Sequence, residues 1–216
     1  MSEFSRSVLQ VLSGSMFVNV FSYLTLPFVS ILYSPDAFGL YNLLVGAFTI
    51  FSGIGCLRYD MAIIVMGPNK KGDYMAVLAT VVLLVVTTLL CLFLLVGKDA
   101  FLGWMNAEEL GNYVWLVPIF VLLAGFRMIL TQLAANAKDF KLFTINSVLL
   151  SIGQRGGALL LGLFSGSFIS LCIAHITALV LTSLNLLRKY RVDWSLYQPK
   201  KRVTLARRNW KYPTFD

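Results

Sequence analysis

Charge is scarce in this sequence. Only 13% of its 216 residues are Asp, Glu, Lys or Arg, while 58% are hydrophobic, and mean hydropathy is +0.78. Soluble domains carry roughly twice that share of charge, so a soluble globular protein is excluded. Carboxylates are missing altogether between Arg6 and Asp36. The single histidine, His175, has no cysteine or carboxylate at metal-ligand spacing, and it reads as a satisfied interhelical hydrogen bond. Three cysteines, Cys56, Cys91 and Cys172, all fall in apolar runs and read as small buried side chains. There is no Ser–His–Asp set, glycine-rich phosphate loop or carboxylate pair. The expectation is therefore a protein that is not an enzyme and needs no cofactor or metal. Ten-residue apolar/polar alternation is also missing, which removes a β-barrel.

What the sequence does have is long apolar runs. About 20 apolar residues cross the roughly 30 Å hydrocarbon layer as a helix, and lipid forces backbone groups to pair internally. Six spans are predicted, at 8–33, 37–65, 74–96, 110–135, 142–164 and 168–187. The expected fold class is all-α, a polytopic membrane bundle of six transmembrane helices over residues 1–190. A basic, aromatic segment follows at 191–216, "RVDWSLYQPKKRVTLARRNWKYPTFD", which reads as a cytoplasmic linker towards a missing second bundle. In "YSPDAFGLY", Ser34 is placed to cap the second helix, Pro35 to begin it, and Asp36 to complement its dipole. Pro27 and Pro118 are expected to kink their spans.

Lys and Arg gather on the cytoplasmic side of membrane proteins. With the amino terminus inside, 14 of the 18 basic residues are cytoplasmic: Arg6, Lys70, Lys71, Lys138, Lys141 and the nine from Arg188 to Lys211. Only Lys98 lies outside. The net charge of +8 then reflects topology, with anionic lipid as a secondary attraction. No folded basic surface is left for nucleic acid.

Three arginines remain inside the spans. Arg58 and Arg127 lie about 12–13 Å from the ends of their helices, and Arg155 about 20 Å from Lys141, near the midplane. An arginine there costs from about 3 to above 10 kcal/mol, so it needs a partner, water or a ligand. Thr144, Ser147, Ser151 and Arg155 recur at helical spacing and share one face; Ser15, Asn19 and Ser22 form a shorter stripe. Packing by small polar residues is one reading of these stripes. A cationic cavity open to the cytoplasm is the other, and guanidinium forks suit a phosphate or diphosphate. Substrate contact is accordingly expected at Arg58, Arg127, Arg155, Ser151, Ser147 and Asn19.

The stretch "ILYSPDAFGLYNLLVGAFTIFSGIGCLRYDMAIIV" resembles the start of the bacterial polysaccharide-exporter, or O-antigen flippase-like, proteins of the multidrug/oligosaccharidyl-lipid/polysaccharide exporter superfamily. Its Ser-Pro-x-x-Phe-Gly-Leu-Tyr turn and the later Leu-Arg-Tyr-acid step are the most specific part. The closing "NWKYPTF" resembles the lead-in to the seventh helix of these proteins. The resemblance implies the amino-terminal half of a 12–14-helix fold, with Arg58 on the motif's arginine. It further implies transport of polyprenyl-diphosphate-linked oligosaccharide across the inner membrane of a bacterium for O-antigen, capsule or exopolysaccharide synthesis. Implied partners are the lipid-linked oligosaccharide, membrane lipids, polysaccharide assembly proteins, and a second bundle or second copy to close the cavity. A cation-coupled drug antiporter of the same superfamily, a membrane glycan polymerase or glycosyltransferase, and a non-transporting scaffold or truncated relic are the rival readings.

Overall fold

The computed structural model describes residues 3–57, 59–65, 70–190 and 192. Arg58 and the linker expected at 191–216, apart from Val192, lie outside the described residues. Among those described there is no strand. Eight α-helices follow one another: α1 (Glu3–Leu32), α2 (Pro35–Gly55), α3 (Tyr59–Val65), α4 (Lys70–Trp104), α5 (Leu116–Asn136), α6 (Phe140–Ser151), α7 (Gly157–Gly162) and α8 (Phe168–Leu187). A 3₁₀ segment, Glu108–Trp115, leads into α5, and a π-helical turn, Ile152–Gly156, joins α6 to α7. The protein is all-α.

Among the described residues, four segments are long and apolar enough to cross a membrane: Ser7–Leu32, Gly72–Trp104, Glu108–Asn136 and Phe168–Leu187. The other two expected spans are interrupted. After α2, Leu57 takes φ 44°, a left-handed conformation that crowds Cβ against the following carbonyl and ends a helix. The chain restarts as α3, with the Tyr59 N–H donating to Cys56 O at 2.9 Å. The fifth span is divided into α6 and α7 by the π turn.

The start of α2 follows its sequence signals. Ser34 Oγ accepts from the Ala37 N–H at 3.2 Å, Pro35 opens the helix and Asp36 sits in its first turn. Neither expected proline interrupts its helix. Pro118 is the third residue of α5, in the turn where a missing N–H matters least, and α1 is one helix through Pro27. Glycines bend the chain instead: Gly97 leaves helical geometry within α4 (φ −123°, ψ 32°), and Gly111 takes φ 48° in the 3₁₀ segment.

Helix α5 occupies the middle of the bundle, touching α2, α3, α4 and α8, and buries Phe120, Val121, Ile129 and Leu130. Helix α1 lies at the edge, packed mainly on α6 and leaving Leu12, Met16, Tyr23, Phe28 and Ile31 exposed. Lipid is as apolar as these side chains, so helix association has to come from close packing and polar contacts. The α7–α8 seam illustrates this. A Cβ on Gly153 would stand 3.0 Å from Ala178 Cβ, and one on Gly157 3.3 Å from Ala174 Cβ. Two glycines four apart thus face two alanines four apart.

At one end of the bundle Asp139 ties the start of α6 to the segment that follows α8. It caps α6 by accepting the Leu142 N–H at 3.2 Å. Its other oxygen accepts from Lys189 Nζ at 2.5 Å and from Tyr190 Oη at 3.1 Å. Partial burial pushes the Asp139 carboxyl up, but the bonds from Lys189, Leu142 and Tyr190 outweigh it and hold the pKa below the ordinary value. Asp139→Ala should therefore lower stability at neutral pH, by about 1 kcal/mol for the cap alone. A depressed carboxyl pKa contributes fully above the unfolded value of about 3.9, and the contribution is lost as pH falls through the folded value. Melting temperatures of the two proteins should differ at pH 7 and converge under acid conditions. Identical melting at pH 7 would refute the tie.

Candidate functional site

Arg155 is placed by the π turn. Such a turn inserts one residue into the helical ladder and often marks functional positions. Here Gly153 and Gly157 let the turn lie close on α8 while Gln154 and Arg155 face a cavity of about 280 Å³. Leu26 and Val29 of α1, Tyr41, Asn42 and Val45 of α2, and Leu171 of α8 are among the residues of its other walls. Only Tyr33 and Ser34 separate α1 from α2, yet the helices diverge: α1 packs on α6, the π turn and α7, whereas α2 packs on α5, α8, α4 and the 3₁₀ segment. The cavity occupies the space between them.

One wall is fixed by a hydrogen-bond chain across three elements. Gln154 Nε2 donates to Tyr41 Oη at 2.9 Å, and Tyr41 Oη lies 2.8 Å from His175 Nδ1. Tyrosine has a single O–H; directed at Nδ1, it leaves the imidazole proton on Nε2. The ring stands edge-on to Phe48 and Phe120, at centroid distances of 5.4 and 5.1 Å. His175 thus makes the interhelical hydrogen bond expected of it. The Arg155 guanidinium makes no ion pair or hydrogen bond among the described residues.

Arg127 lies elsewhere. It lines a second cavity of about 430 Å³ with Val11, Ile64, Thr131, Gln132 and Phe143, and its buried Nε has no hydrogen-bond partner among the described residues. Asp60, buried on α3, accepts from Gln132 Nε2 at 3.5 Å and lines neither cavity.

The polar stripe of α6 is divided between roles. Thr144 meets Gly14 of α1 in a close helix contact. Ser147 Oγ donates to Phe143 O of its own helix at 3.1 Å. Ser151 Oγ is buried without a partner among the described residues. Asn19 is exposed on α1. None of these lines the Arg155 cavity. The structure therefore brings Arg155 together with Tyr41, Asn42 and Gln154, and sets Arg127, Asn19, Ser147 and Ser151 apart from it.

Tyr41, Asn42 and Gln154 are the lining groups that sequence reasoning missed. Their signal was present: an adjacent Tyr-Asn pair inside an apolar run, and a glutamine beside the deepest arginine. Comparison of the chain with protein-family models, with curated proteins and with solved structures returns no match. Function accordingly rests on the chemistry of the two cavities.

Proposed function

We propose that this chain is one helical bundle of a bacterial inner-membrane flippase that moves polyprenyl-diphosphate-linked oligosaccharide from the cytoplasmic to the outer leaflet. One observation carries the reading. Arg155 faces a cavity between α1 and α2, beside Tyr41, Asn42 and Gln154, with no counterion among the described residues. A guanidinium so placed is costly, and an anionic ligand offsets the cost with a forked, charge-assisted bond. The motif arginine, Arg58, is assigned to the same substrate by resemblance.

The cavity's size narrows the role. About 280 Å³ is at the small end of ligand sites, enough for a diphosphate headgroup and too little for an oligosaccharide. The glycan would then lie against a second bundle or second copy, and the prenyl chain would leave through the gap between α1 and α2. A cation antiporter would call for a carboxylate in the cavity, and Asp60 lines neither one.

In this reading the chain crosses six times, counting α2–α3 and α6–α7 as one span each, with both termini cytoplasmic. Lys138, in the α5–α6 loop, is then inside, and Lys98, which donates to Asn112 Oδ1 at 2.6 Å, is outside. Cysteines introduced singly at these two positions should label from opposite sides of intact cells. Labelling of both from outside would overturn the topology.

The function itself is tested in a flippase-deficient bacterial strain supplied with the protein that carries this chain. Surface glycan should return with arginine at position 155 and fail with alanine. No return with the unaltered protein would overturn the proposal.

A further inference from the structure

We propose that α1 and α2 line one hydrated crevice joining the two cavities, with Arg127 and Arg155 as its inner and outer stations for a diphosphate headgroup. The cavities lie towards opposite ends of the bundle. Arg127 is about 13 Å from Asn136 at the end of α5, the cytoplasmic end in the proposed topology. Arg155 is about 10 Å from Gly162 at the far end of α7. Helix α1 passes both, giving Val11 to the Arg127 cavity and Leu26 and Val29 to the Arg155 cavity. Those three residues share a face, and Ser15, Asn19 and Ser22 occupy it between them, at steps of four, four, three, four and three. The polar stripe of α1 thus runs from one arginine site to the other, about 22 Å from Val11 to Leu26.

Helix α2 repeats the pattern. Asn42 and Val45 line the Arg155 cavity, and Thr49 and Ser52 continue their line at steps of four and three. Helix packing does not account for these groups. Ser15, Asn19 and Thr49 are exposed, and among the described residues α1 packs on α6, the π turn and α7 rather than along α2 or α3. An amide or hydroxyl left against hydrocarbon is costly, and water removes the cost. Thr49 and Ser52 direct their hydroxyl protons to their own helix, at Val45 O (2.6 Å) and Thr49 O (3.1 Å). Their oxygens can still accept from water, but they offer no donor to an anion. The guanidinium groups are the donors. Arg127 Nε is buried without a hydrogen-bond partner, and neither arginine has an ion pair among the described residues. Two unneutralised cations at either end of a neutral polar lining let an anion leave one fork for the other without crossing hydrocarbon. Only the headgroup enters, and the prenyl chain trails into lipid through the open side between α1 and α2. The identity of the headgroup rests on the flippase reading; the hydrated crevice does not.

The test is thiol accessibility in the purified chain held in lipid nanodiscs, counted above the reaction of Cys56, Cys91 and Cys172 in the unaltered chain. Ser15→Cys, Asn19→Cys, Ser22→Cys and Thr49→Cys should react with charged, water-borne methanethiosulfonates. The reference is Leu24→Cys, exposed on the same helix but about 200° round from Ser22. It should react roughly tenfold more slowly or worse, because a thiol in hydrocarbon stays protonated. Stripe positions no faster than Leu24→Cys would overturn the crevice. With each reagent scaled to its rate with a free thiol, an anionic one should outpace a cationic one roughly tenfold at Val11→Cys and Asn42→Cys, since a nearby cation acts on them with opposite sign. Arg127→Gln should erase that preference at position 11 alone, and Arg155→Gln at position 42 alone. Absence of the preference with both arginines intact, or its survival in both variants, would overturn the stations. Geranylgeranyl diphosphate in the disc should slow both reporters more than inorganic pyrophosphate does. Equal slowing would overturn a lipid-borne headgroup, and no slowing by either would overturn a diphosphate. Labelling requires no export, so its failure is distinct from a failure to restore surface glycan.

Discussion

Replacing both Gly153 and Gly157 with leucine should largely prevent recovery of folded protein. Each glycine lies against an alanine of α8 at a distance where even a methyl group is tight, with Cβ positions 3.0 Å from Ala178 and 3.3 Å from Ala174. The obstacle is largely helix backbone and Cβ, which cannot swing aside as the end of a long side chain can. Overpacking a filled interior costs about 1–3 kcal/mol per site. Leucine belongs at the upper end of that range, and two sites on one seam add to several kcal/mol. That approaches the total stability of a typical domain, about 5–15 kcal/mol. The π turn would be displaced with the seam, because Gly153 lies within it. Monodisperse protein recovered in detergent, and its melting temperature, are the measurements. Gly46→Leu is the control, since nothing lies within 4 Å of that position, and it should behave as the unaltered chain does. If the double variant melts where the control does, the seam does not hold α8.

The second large effect concerns Arg155. If its guanidinium holds a diphosphate, Arg155→Ala should remove a charged hydrogen bond worth about 1.5–3 kcal/mol. At 1.4 kcal/mol per factor of ten, that weakens substrate binding by roughly ten- to a hundredfold. Lysine retains the charge but loses the planar fork, so Arg155→Lys should recover only part of export. A snorkelling arginine predicts otherwise, because lysine reaches the interface equally well. Arg155 lies about 20 Å along its helix from Lys141 but only about 10 Å from Gly162 at the end of α7, so the lysine variant is what separates the two cases. Tyr41→Phe supplies a separate check. It deletes the hydroxyl between Gln154 and His175, loosening the wall beside Arg155 while keeping the charge, so export should fall less than with alanine. Glycan export at matched membrane abundance distinguishes these cases. Full export with both lysine and alanine would return Arg155 to a structural role.

The sequence and the structure agree where the signal is local. The cap of α2 by Ser34, its opening at Pro35 and the acidic first turn depend on residues three or four apart, and all are present. The breaks were not legible because proline is only one cause of a break. Pro118 falls in the first turn of α5, where its missing N–H is tolerated, while Leu57, Gly97 and Gly111 leave helical geometry without a proline. Polar stripes were legible as faces, but a face does not say what it meets. Thr144 meets Gly14 on α1, and Ser147 returns its hydroxyl to its own helix.

By itself, then, the sequence determined the solvent and the class of element. Thirteen per cent charge and long apolar runs leave a helical membrane protein as the arrangement in which every backbone group can pair. Depth along a helix also follows from residue number, so Arg127 and Arg155 were placed inside their spans before any neighbour was known. Only the tertiary structure decided that they serve different cavities. Which face of α5 turns towards α1 and α3, and how far α1 stands from α2, depend on close contacts among helices distant in the chain. Those contacts, glycine against alanine and a tyrosine between a glutamine and a histidine, join residues 17 to 134 positions apart, and no periodicity within one helix encodes them.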